Sequence, residues 1–225
     1  MKIVIANSQK WFEPTDELKS NYDLLIIKSK EQLNLKDLKK FYPDIIFFPH
    51  WNWIIPEEIF DSYTCIGFHT SDLPFGRGGS PIQNLIIRKI KQTFVCAIKV
   101  QKILDAGPIY TKKIINLDGS LWQIFEHLNK LINLMMLELI RDLPDPEPQK
   151  GTPVVFRRLS KHDNKIKKNN SLDDVYDRIR MVDEETYPNA FLQYGNLLVE
   201  FKNVSFSKDK VQCTAIITED KNKSK

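Results

Sequence analysis

Residues 63–81 read YTCIGFHTSDLPFGRGGSP, and this stretch decides the fold. The apolar run that begins at Tyr63 is typical of a strand buried in a parallel sheet, and His69 stands where such a strand would end in a loop. A Leu-Pro step and a Gly-Arg-Gly-Gly turn follow. Because the glycines of this turn have no side chains, a bulky ligand can approach the backbone there. The stretch therefore predicts an active-site histidine at the edge of an α/β sheet.

Short apolar runs and a helical pattern alternate before this stretch. Residues 2–6, 22–28 and 45–48 are predicted strands, and residues 31–41 have the spacing of a helix that Pro43 ends. This order favours a doubly wound, mostly parallel, Rossmann-like sheet. Ligands bind such sheets beyond the carboxyl ends of the strands, so we expect the segments after these strands to form one rim.

The remainder of the chain predicts a second, smaller region. The expected elements are a helix at 81–88, strands at 93–100 and 109–115, a long helix at 121–143 behind a Ser120-x-x-Gln123 capping box, a proline-rich linker at 142–153, a strand at 154–156, a helix at 172–181 capped by Ser171, and strands at 197–201, 204–206 and 211–217. We therefore predict a Rossmann-like catalytic domain at 1–150, a small C-terminal α+β domain of hairpin or partial-barrel type at 151–218, and a disordered tail at 219–225.

Composition restricts the class of protein. The 225 residues are 42% hydrophobic and 28% charged, which is typical of a globular domain. No apolar run is long enough to cross a bilayer, and the first residues predict a strand and not a signal peptide. Three scattered cysteines lack metal-ligand spacing, and two of them sit in apolar strand-like runs, which indicates buried thiols in a reducing compartment. We expect a cytoplasmic protein with no membrane partner and no metal.

Charge argues against a nucleic-acid partner. The formal net charge is +4, and it is nearly balanced on both sides of residue 150. One basic cluster lies at residues 157–168, and a solvated loop is favoured over a nucleic-acid contact as its explanation. We therefore expect no nucleic acid to bind.

A second motif, Leu104-Asp105-Ala106-Gly107-Pro108-Ile109, follows the first, with Asp105 standing 36 residues after His69. Together the two motifs resemble those of the folate-dependent formyltransferases, whose pattern is Asn-x-His, Ser-Leu-Leu-Pro, Arg-Gly-x-x-Pro and Asp-x-Gly. The matching residues are His69, Ser71, Leu73-Pro74, Arg77-Gly78, Pro81 and Asp105-Ala106-Gly107. Gly67 stands where the family has its asparagine.

The resemblance implies transfer of a formyl group from N10-formyltetrahydrofolate to an amine, with His69 and Asp105 as the acid–base pair. An imidazole changes its charge near neutral pH, and a neighbouring carboxylate orients it and accepts a proton from the amine. Alone, His69 would more often be a structural histidine and Asp105 an ordinary turn residue. In the family, the asparagine donates a hydrogen bond to the formyl oxygen. We expect a backbone amide, Asn52 or His50 to replace it, and lost transfer activity is the alternative.

The resemblance also implies two sets of binding residues. The folate would contact the loop at 48–56 and the backbone near the second motif, through His50, Asn52, Trp53, Ile54, Ile55, Ile103 and Leu104. The acceptor would contact Trp11, Arg77, Gly78, Gly79 and Ser80. Trp51 and Trp53 could equally pack into the core, and Arg77 could instead stabilise its own turn.

The short chain and the Lys10-Trp11-Phe12 loop resemble the nucleotide-sugar N-formyltransferases within this family. That resemblance implies a nucleotide-linked amino dideoxy sugar as the acceptor, a role in surface polysaccharide or lipopolysaccharide biosynthesis, and a homodimer as one arrangement. Two alternatives stay open. Residues 183–201 resemble the start of the second domain of methionyl-tRNA formyltransferase, and Gly67 allows a non-catalytic folate or nucleotide-sugar binding module.

Overall fold

The computed structural model describes residues 1–220, which form two compact units. The first unit consists of residues 1–78, 92–115 and 125–155, and the second of residues 79–91, 116–124 and 156–220. A mostly parallel central sheet in the first and an antiparallel sheet in the second confirm the predicted fold class. The predicted domain boundary at residue 150 stays a prediction.

The helices and strands of the first part of the chain are, in order, β1 (Lys2–Asn7), α1 (Asp16–Asn21), β2 (Asp23–Ile27), α2 (Leu35–Phe41), β3 (Ile45–His50), α3 (Glu57–Ser62), β4 (Cys65–Thr70), β5 (Phe75–Gly78), α4 (Pro81–Ile87) and β6 (Gln92–Lys99). Those that follow are β7 (Ile109–Asn116), α5 (Leu121–Arg141), β8 (Val154–Phe156), α6 (Leu172–Arg180), β9 (Ala190–Tyr194), β10 (Leu197–Ser207) and β11 (Lys210–Glu219). Single turns of 3₁₀ helix lie at Lys30–Gln32 and Lys161–Asn164.

The central sheet has the strand order β2-β1-β3-β4-β6-β7. The pairs β1–β2, β1–β3 and β3–β4 are parallel, whereas β6 runs antiparallel to β4. Strands β1 and β3 are almost completely buried, as the continuous apolar runs predicted. The carboxyl ends of β1, β3 and β4 consequently lie at one edge of the sheet. The segments that follow these strands carry polar and aromatic residues.

The second unit has its own antiparallel sheet, in the order β11-β10-β9. Gly195, with a φ of +60°, turns the chain between β9 and β10, where the sequence predicted a hairpin. Helix α6 packs against this sheet through Tyr176, whose ring centroid lies 5.4 Å from that of Phe206. Buried Arg180 donates to Asp177 Oδ1 and to the carbonyls of Leu117 and Gly119, so its charge is paired.

Several predicted elements are confirmed, and others need correction. The capping box forms, with Gln123 N–H donating to Ser120 Oγ at 3.3 Å and Ser120 N–H donating to Gln123 Oε1 at 2.9 Å, so the long helix begins where predicted. The predicted helix at 31–41 is divided, because Asn34 accepts a hydrogen bond from Asp37 N–H at 3.0 Å and starts α2 there.

Three further corrections concern the second half of the chain. The predicted strands at 197–201 and 204–206 are one strand, β10, with an irregularity between Lys202 and Ser205. The linker at 142–153 is partly paired, since Glu147 and Ile109 exchange backbone hydrogen bonds. Of the predicted disordered tail, Glu219 ends β11 and Asp220 is buried, while residues 221–225 lie outside the described residues.

Candidate active site

His69 is the last residue but one of β4, where it pairs with Cys96 of β6, and it is only 7% exposed. Its Nε2 lies 2.7 Å from the carbonyl oxygen of Gly76. A carbonyl can only accept a hydrogen bond, so Nε2 carries the proton in this arrangement. Ser71 Oγ donates to the same oxygen at 3.3 Å. The ring is therefore held from one side, and Nδ1 is the nitrogen left for chemistry.

Asp105 lies in the loop between β6 and β7, and its Oδ2 is 3.5 Å from Nδ1 of His69. The same oxygen accepts a 2.9 Å hydrogen bond from the backbone N–H of Gly78. Asp105 has a φ of +53°, a left-handed conformation that aspartate adopts more readily than most residues. The two side chains that the sequence predicts as neighbours are thus brought into contact.

A cavity of about 500 Å³ opens above this pair. His69, Asp105 and Gly67 line it together with apolar side chains from three segments, namely Phe48, Trp51, Trp53, Ile54, Ile55, Phe60, Phe68, Ile98, Val100, Ile103 and Leu104. Three of these are strongly exposed, with Ile54 at 89%, Leu104 at 70% and Ile103 at 67%. Large apolar side chains exposed at the rim of a cavity indicate that a ligand covers them. Trp53, Ile54, Ile55, Ile103 and Leu104, all expected at a folate site, therefore line one cavity.

Other predicted folate contacts lie elsewhere. Asn52 is exposed and His50 is half-buried, and neither is among the residues that line the cavity. His50 instead packs edge-on against Trp11, with ring centroids 5.7 Å apart. Trp11, expected to contact the acceptor, stacks on Phe125 of α5 at 4.8 Å. Trp11 therefore packs against neighbouring rings, and its contact with the acceptor stays a prediction.

The predicted acceptor residues of the Arg-Gly-Gly-Ser turn are divided between the two units. Arg77 donates from Nε and Nη2 to the side-chain oxygen of Gln149, at 3.0 and 2.7 Å, and Gly78 binds Asp105 as described. Gly79 and Ser80 belong to the second unit, where Gly79 N–H donates to the carbonyl of Phe156 and Ser80 Oγ accepts from Leu159 N–H. Arg77 is thus engaged by a neutral partner within the protein.

Gly67 leaves room where the family has its asparagine. A Cβ at Gly67 would lie 3.6 Å from Val100 Cγ2 and 3.8 Å from Ile98 Cγ1, which are ordinary contact distances. The position lines the cavity beside His69, so the missing side chain is replaced by open space. Neither side-chain candidate for the replacement, His50 or Asn52, enters that space.

Gln149 is a site residue that the sequence analysis missed. Its amide bonds to Arg77, Asp105 and Gly107, although it lies in the segment predicted as a linker. The surrounding prolines gave no signal of this role, because they indicate only that no helix or strand continues there.

The two buried thiols are held in the protonated form. Burial raises the pKa of Cys65 to about 12 and that of Cys96 to about 11, so neither is a thiolate near neutral pH. Within residues 1–220, no three His, Cys, Asp or Glu side chains are grouped as metal ligands. No helix in the same residues is both long and apolar enough to cross a membrane.

Comparison with known proteins agrees with this geometry. A family model described as the C-terminal domain of methionyl-tRNA formyltransferase matches residues 161–218. A solved structure of methionyl-tRNA formyltransferase from Clostridium thermocellum is 42% identical, with a TM-score of 0.92, over 97% of this chain and 99% of that one. The chain therefore belongs to the formyltransferase family.

The individual matches differ in how similar they are to this chain. Methionyl-tRNA formyltransferase from Campylobacter hominis is 29% identical over 191 residues, which are 82% of this chain and 62% of that protein. This chain thus spans about 62% of the length of that curated relative. A sugar N-formyltransferase from Shewanella sp. is 18% identical with a TM-score of 0.66, over 90% of this chain and 96% of that one, which shows a shared fold alone.

Two expectations are corrected by these findings. The nucleotide-sugar acceptor, with its role in lipopolysaccharide synthesis, is wrong, because the more similar relatives are methionyl-tRNA formyltransferases. The expectation that no nucleic acid binds is wrong for the same reason. The first rested on chain length and the Lys10-Trp11-Phe12 loop and the second on average charge, and an average over many residues does not describe a local surface. Cytoplasmic localisation and the homodimer stay predictions.

Proposed function

We propose that this protein transfers a formyl group from N10-formyltetrahydrofolate to the amino group of methionyl-tRNA. The observation that carries the proposal is the 3.5 Å contact between His69 Nδ1 and Asp105 Oδ2 at the base of the cavity. A buried imidazole with a carboxylate beside it can both donate and accept protons during acyl transfer. The names of the more similar relatives support the choice of acceptor.

The cavity suits the folate donor. Its volume of about 500 Å³ is within the usual range for small-molecule sites. Trp53, Ile54 and Ile55 would form an apolar wall against the pterin ring, and the backbone at Ile103 and Leu104 would pair with its donor and acceptor edge. When bound, the folate supplies an activated formyl group.

The residues at the base of the cavity would divide the proton transfers between them. His69 is fixed by Gly76, so Nδ1 keeps one orientation while it gives or takes a proton. Asp105 would accept the proton of the attacking amine, directly or through water, and would stabilise a positive charge on the imidazole. The N–H of Gly78 holds the carboxylate in place without using its second oxygen. The arrangement therefore supplies an acid and a base side by side at the base of the cavity.

The tRNA would contact basic residues of the second unit. Lys167 and Lys168 are exposed, lie within the region matched by the family model, and form no ion pair within the described residues. Arg157, by contrast, is already bound to Asp163. The two lysines, like exposed Arg158, therefore form no ion pair within the described residues and are available to neutralise phosphates.

Turnover tests the reaction. The protein is incubated with N10-formyltetrahydrofolate and methionyl-tRNA, and formylmethionyl-tRNA is counted. We expect His69→Ala and Asp105→Asn each to lower kcat by about 10²- to 10⁴-fold, the range for removing general acid–base catalysis. His127→Ala, at an exposed histidine of α5, is the matched control. A parent protein that binds the folate but formylates nothing would support the binding module instead.

Salt dependence of binding tests the acceptor. We expect the double variant Lys167→Glu/Lys168→Glu to weaken tRNA binding and to reduce the slope of log K against log salt by about 1.5, since each phosphate contact contributes about 0.7 to 0.9. The exposed pair Lys39→Glu/Lys40→Glu is the control with the same change in charge. Equal effects of the two double variants would contradict a tRNA surface at these lysines.

A further inference from the structure

The side chain of Gln149 joins the two sequence motifs of the site. Its Nε2 donates to the carbonyl oxygens of Asp105 and Gly107, each at 2.8 Å. Its Oε1 accepts from Nε and Nη2 of Arg77, at 3.0 and 2.7 Å. Both donors and both acceptor positions of one amide are therefore used.

The bonds to the two carbonyls fix the turn that carries Asp105. That residue has a φ of +53°, a left-handed conformation that aspartate tolerates and that hydrogen bonds from its surroundings hold in place. Gln149 holds the turn from its outer side, through the backbone of Asp105 and Gly107. The carboxylate of Asp105 is left to face His69 and the N–H of Gly78.

Gln149 is itself on a fixed segment. Two residues earlier, Glu147 exchanges backbone hydrogen bonds of 2.7 and 2.9 Å with Ile109. Five residues later, Val154 N–H donates to the carbonyl of Pro74 at 3.1 Å. Gln149 is half-buried, although its neighbours in sequence on both sides are exposed. The segment at 147–154 therefore delivers one glutamine to a defined place.

We propose that Gln149 is a positioning residue for the reaction, which holds the Asp105 turn so that its carboxylate stays in contact with His69. This inference rests on the proposed function, because it assumes that the pair performs the proton transfers. A glutamate at this position would keep an acceptor for Arg77 but would set its own oxygens against two carbonyl oxygens. The amide, and not merely its bond to Arg77, is therefore the required group.

The first test compares steady-state kinetics of the full chain. Gln149→Ala should lower kcat about a hundredfold, as a displacement of about 1 Å near reacting groups can do. The KM for the folate should stay within about twofold, because Gln149 does not line the cavity. Gln149→Glu should lose as much kcat as Gln149→Ala, and Lys150→Ala, an exposed neighbour, should lose none. A Gln149→Glu variant with the parent's kcat would overturn the proposal.

A double-mutant cycle distinguishes positioning from general stability. If Gln149 acts through Asp105, then adding Gln149→Ala to Asp105→Asn should lower kcat by less than about threefold further. If Gln149 only stabilises the fold, its removal should cost the same factor in both backgrounds. Equal losses would therefore refute the positioning role.

Amide exchange gives a readout that needs no turnover. The N–H of Gly78 donates to Asp105 Oδ2, so its protection reports where the carboxylate lies. We expect the Gly78 amide to exchange at least about tenfold faster in Gln149→Ala than in the parent or in Lys150→Ala. Unchanged protection would overturn the proposal. A parent that lacks turnover would instead refute the proposed function, and exchange at Gly78 would still decide the positioning role.

Discussion

The substitution Gly107→Ala tests how closely two backbone segments must approach to build the site. A Cβ at Gly107 would lie 1.7 Å from the carbonyl oxygen of Lys99 and 2.9 Å from its carbonyl carbon. The atoms in the way are main-chain atoms of β6, so no side chain can rotate to make room. Gly107 has no left-handed φ, and the expected loss therefore comes from the collision alone.

The size of the effect follows from that distance. To reach the 3.4 Å of an ordinary contact, the two segments must separate by about 1.7 Å. Such overpacking costs about 1 to 3 kcal/mol. Separation also breaks the 2.9 Å hydrogen bond from Lys99 N–H to Pro108 O, which adds about 1 kcal/mol. We expect a total loss of about 3 kcal/mol in the free energy of unfolding.

Urea unfolding and turnover measure the two consequences. The unfolding midpoint should fall, and kcat should fall about a hundredfold because Asp105 moves with the turn. Gly67→Ala is the matched control, since its Cβ meets only side-chain atoms at 3.6 and 3.8 Å, and its stability should change by less than about 1 kcal/mol. Equal stability of the two variants, or a Gly107→Ala protein with the parent's kcat, would refute the argument.

Three further outcomes are expected. The side chain of Lys89 and the N–H of Ser171 lower the pKa of Asp174 to about 2. The stability that this carboxylate contributes is therefore complete above its unfolded pKa of about 3.9 and is lost as the pH falls towards 2. In urea unfolding, the stability difference between the parent and Asp174→Asn should shrink over that pH range. Ellman's reagent near pH 8 should titrate one thiol of the native protein quickly, the exposed Cys213, and three only after unfolding, whereas three fast thiols would contradict the buried positions of the others. Ile54→Asp should weaken folate binding about tenfold. The free energy of unfolding should stay unchanged within about 0.5 kcal/mol, because the side chain is 89% exposed and folding buries little of it. Titration calorimetry of folate binding and scanning calorimetry of unfolding check the two expectations.

Local pattern was sufficient to predict much of the fold. The continuous apolar runs of β1 and β3 indicated buried strands, because in a parallel sheet both faces are covered. The capping box at Ser120 fixed the start of α5, since its two hydrogen bonds join residues three apart. Strand β5, by contrast, was missed, because its four residues pair with β8, which is distant in sequence. Such pairing depends on partners that no short window contains.

The candidate site divides in the same way. His69 and Asp105 were predicted as neighbours through a family resemblance, and the geometry brings them to 3.5 Å. His50 and Asn52 were chosen as replacements for the missing asparagine by closeness in sequence. However, β3 continues through His50, and the chain beyond it presents Trp51 and Trp53 to the cavity instead. Closeness along the chain is a poor guide at the end of a strand, because successive side chains there point in opposite directions.

Gln149 shows what a linker can contribute to an active site. A segment rich in proline cannot supply ladder hydrogen bonds throughout, so it lies on the surface and crosses neighbouring loops. The segment thereby reaches both the turn of Asp105 and strand β5, which contains Arg77, and Gln149 forms hydrogen bonds to both. One amide with two donors and two acceptor positions can bind both. The acid–base pair therefore depends on a residue that neither motif contains. For this reason we expect a change of Gln149 to lower kcat more than it lowers the stability of the fold.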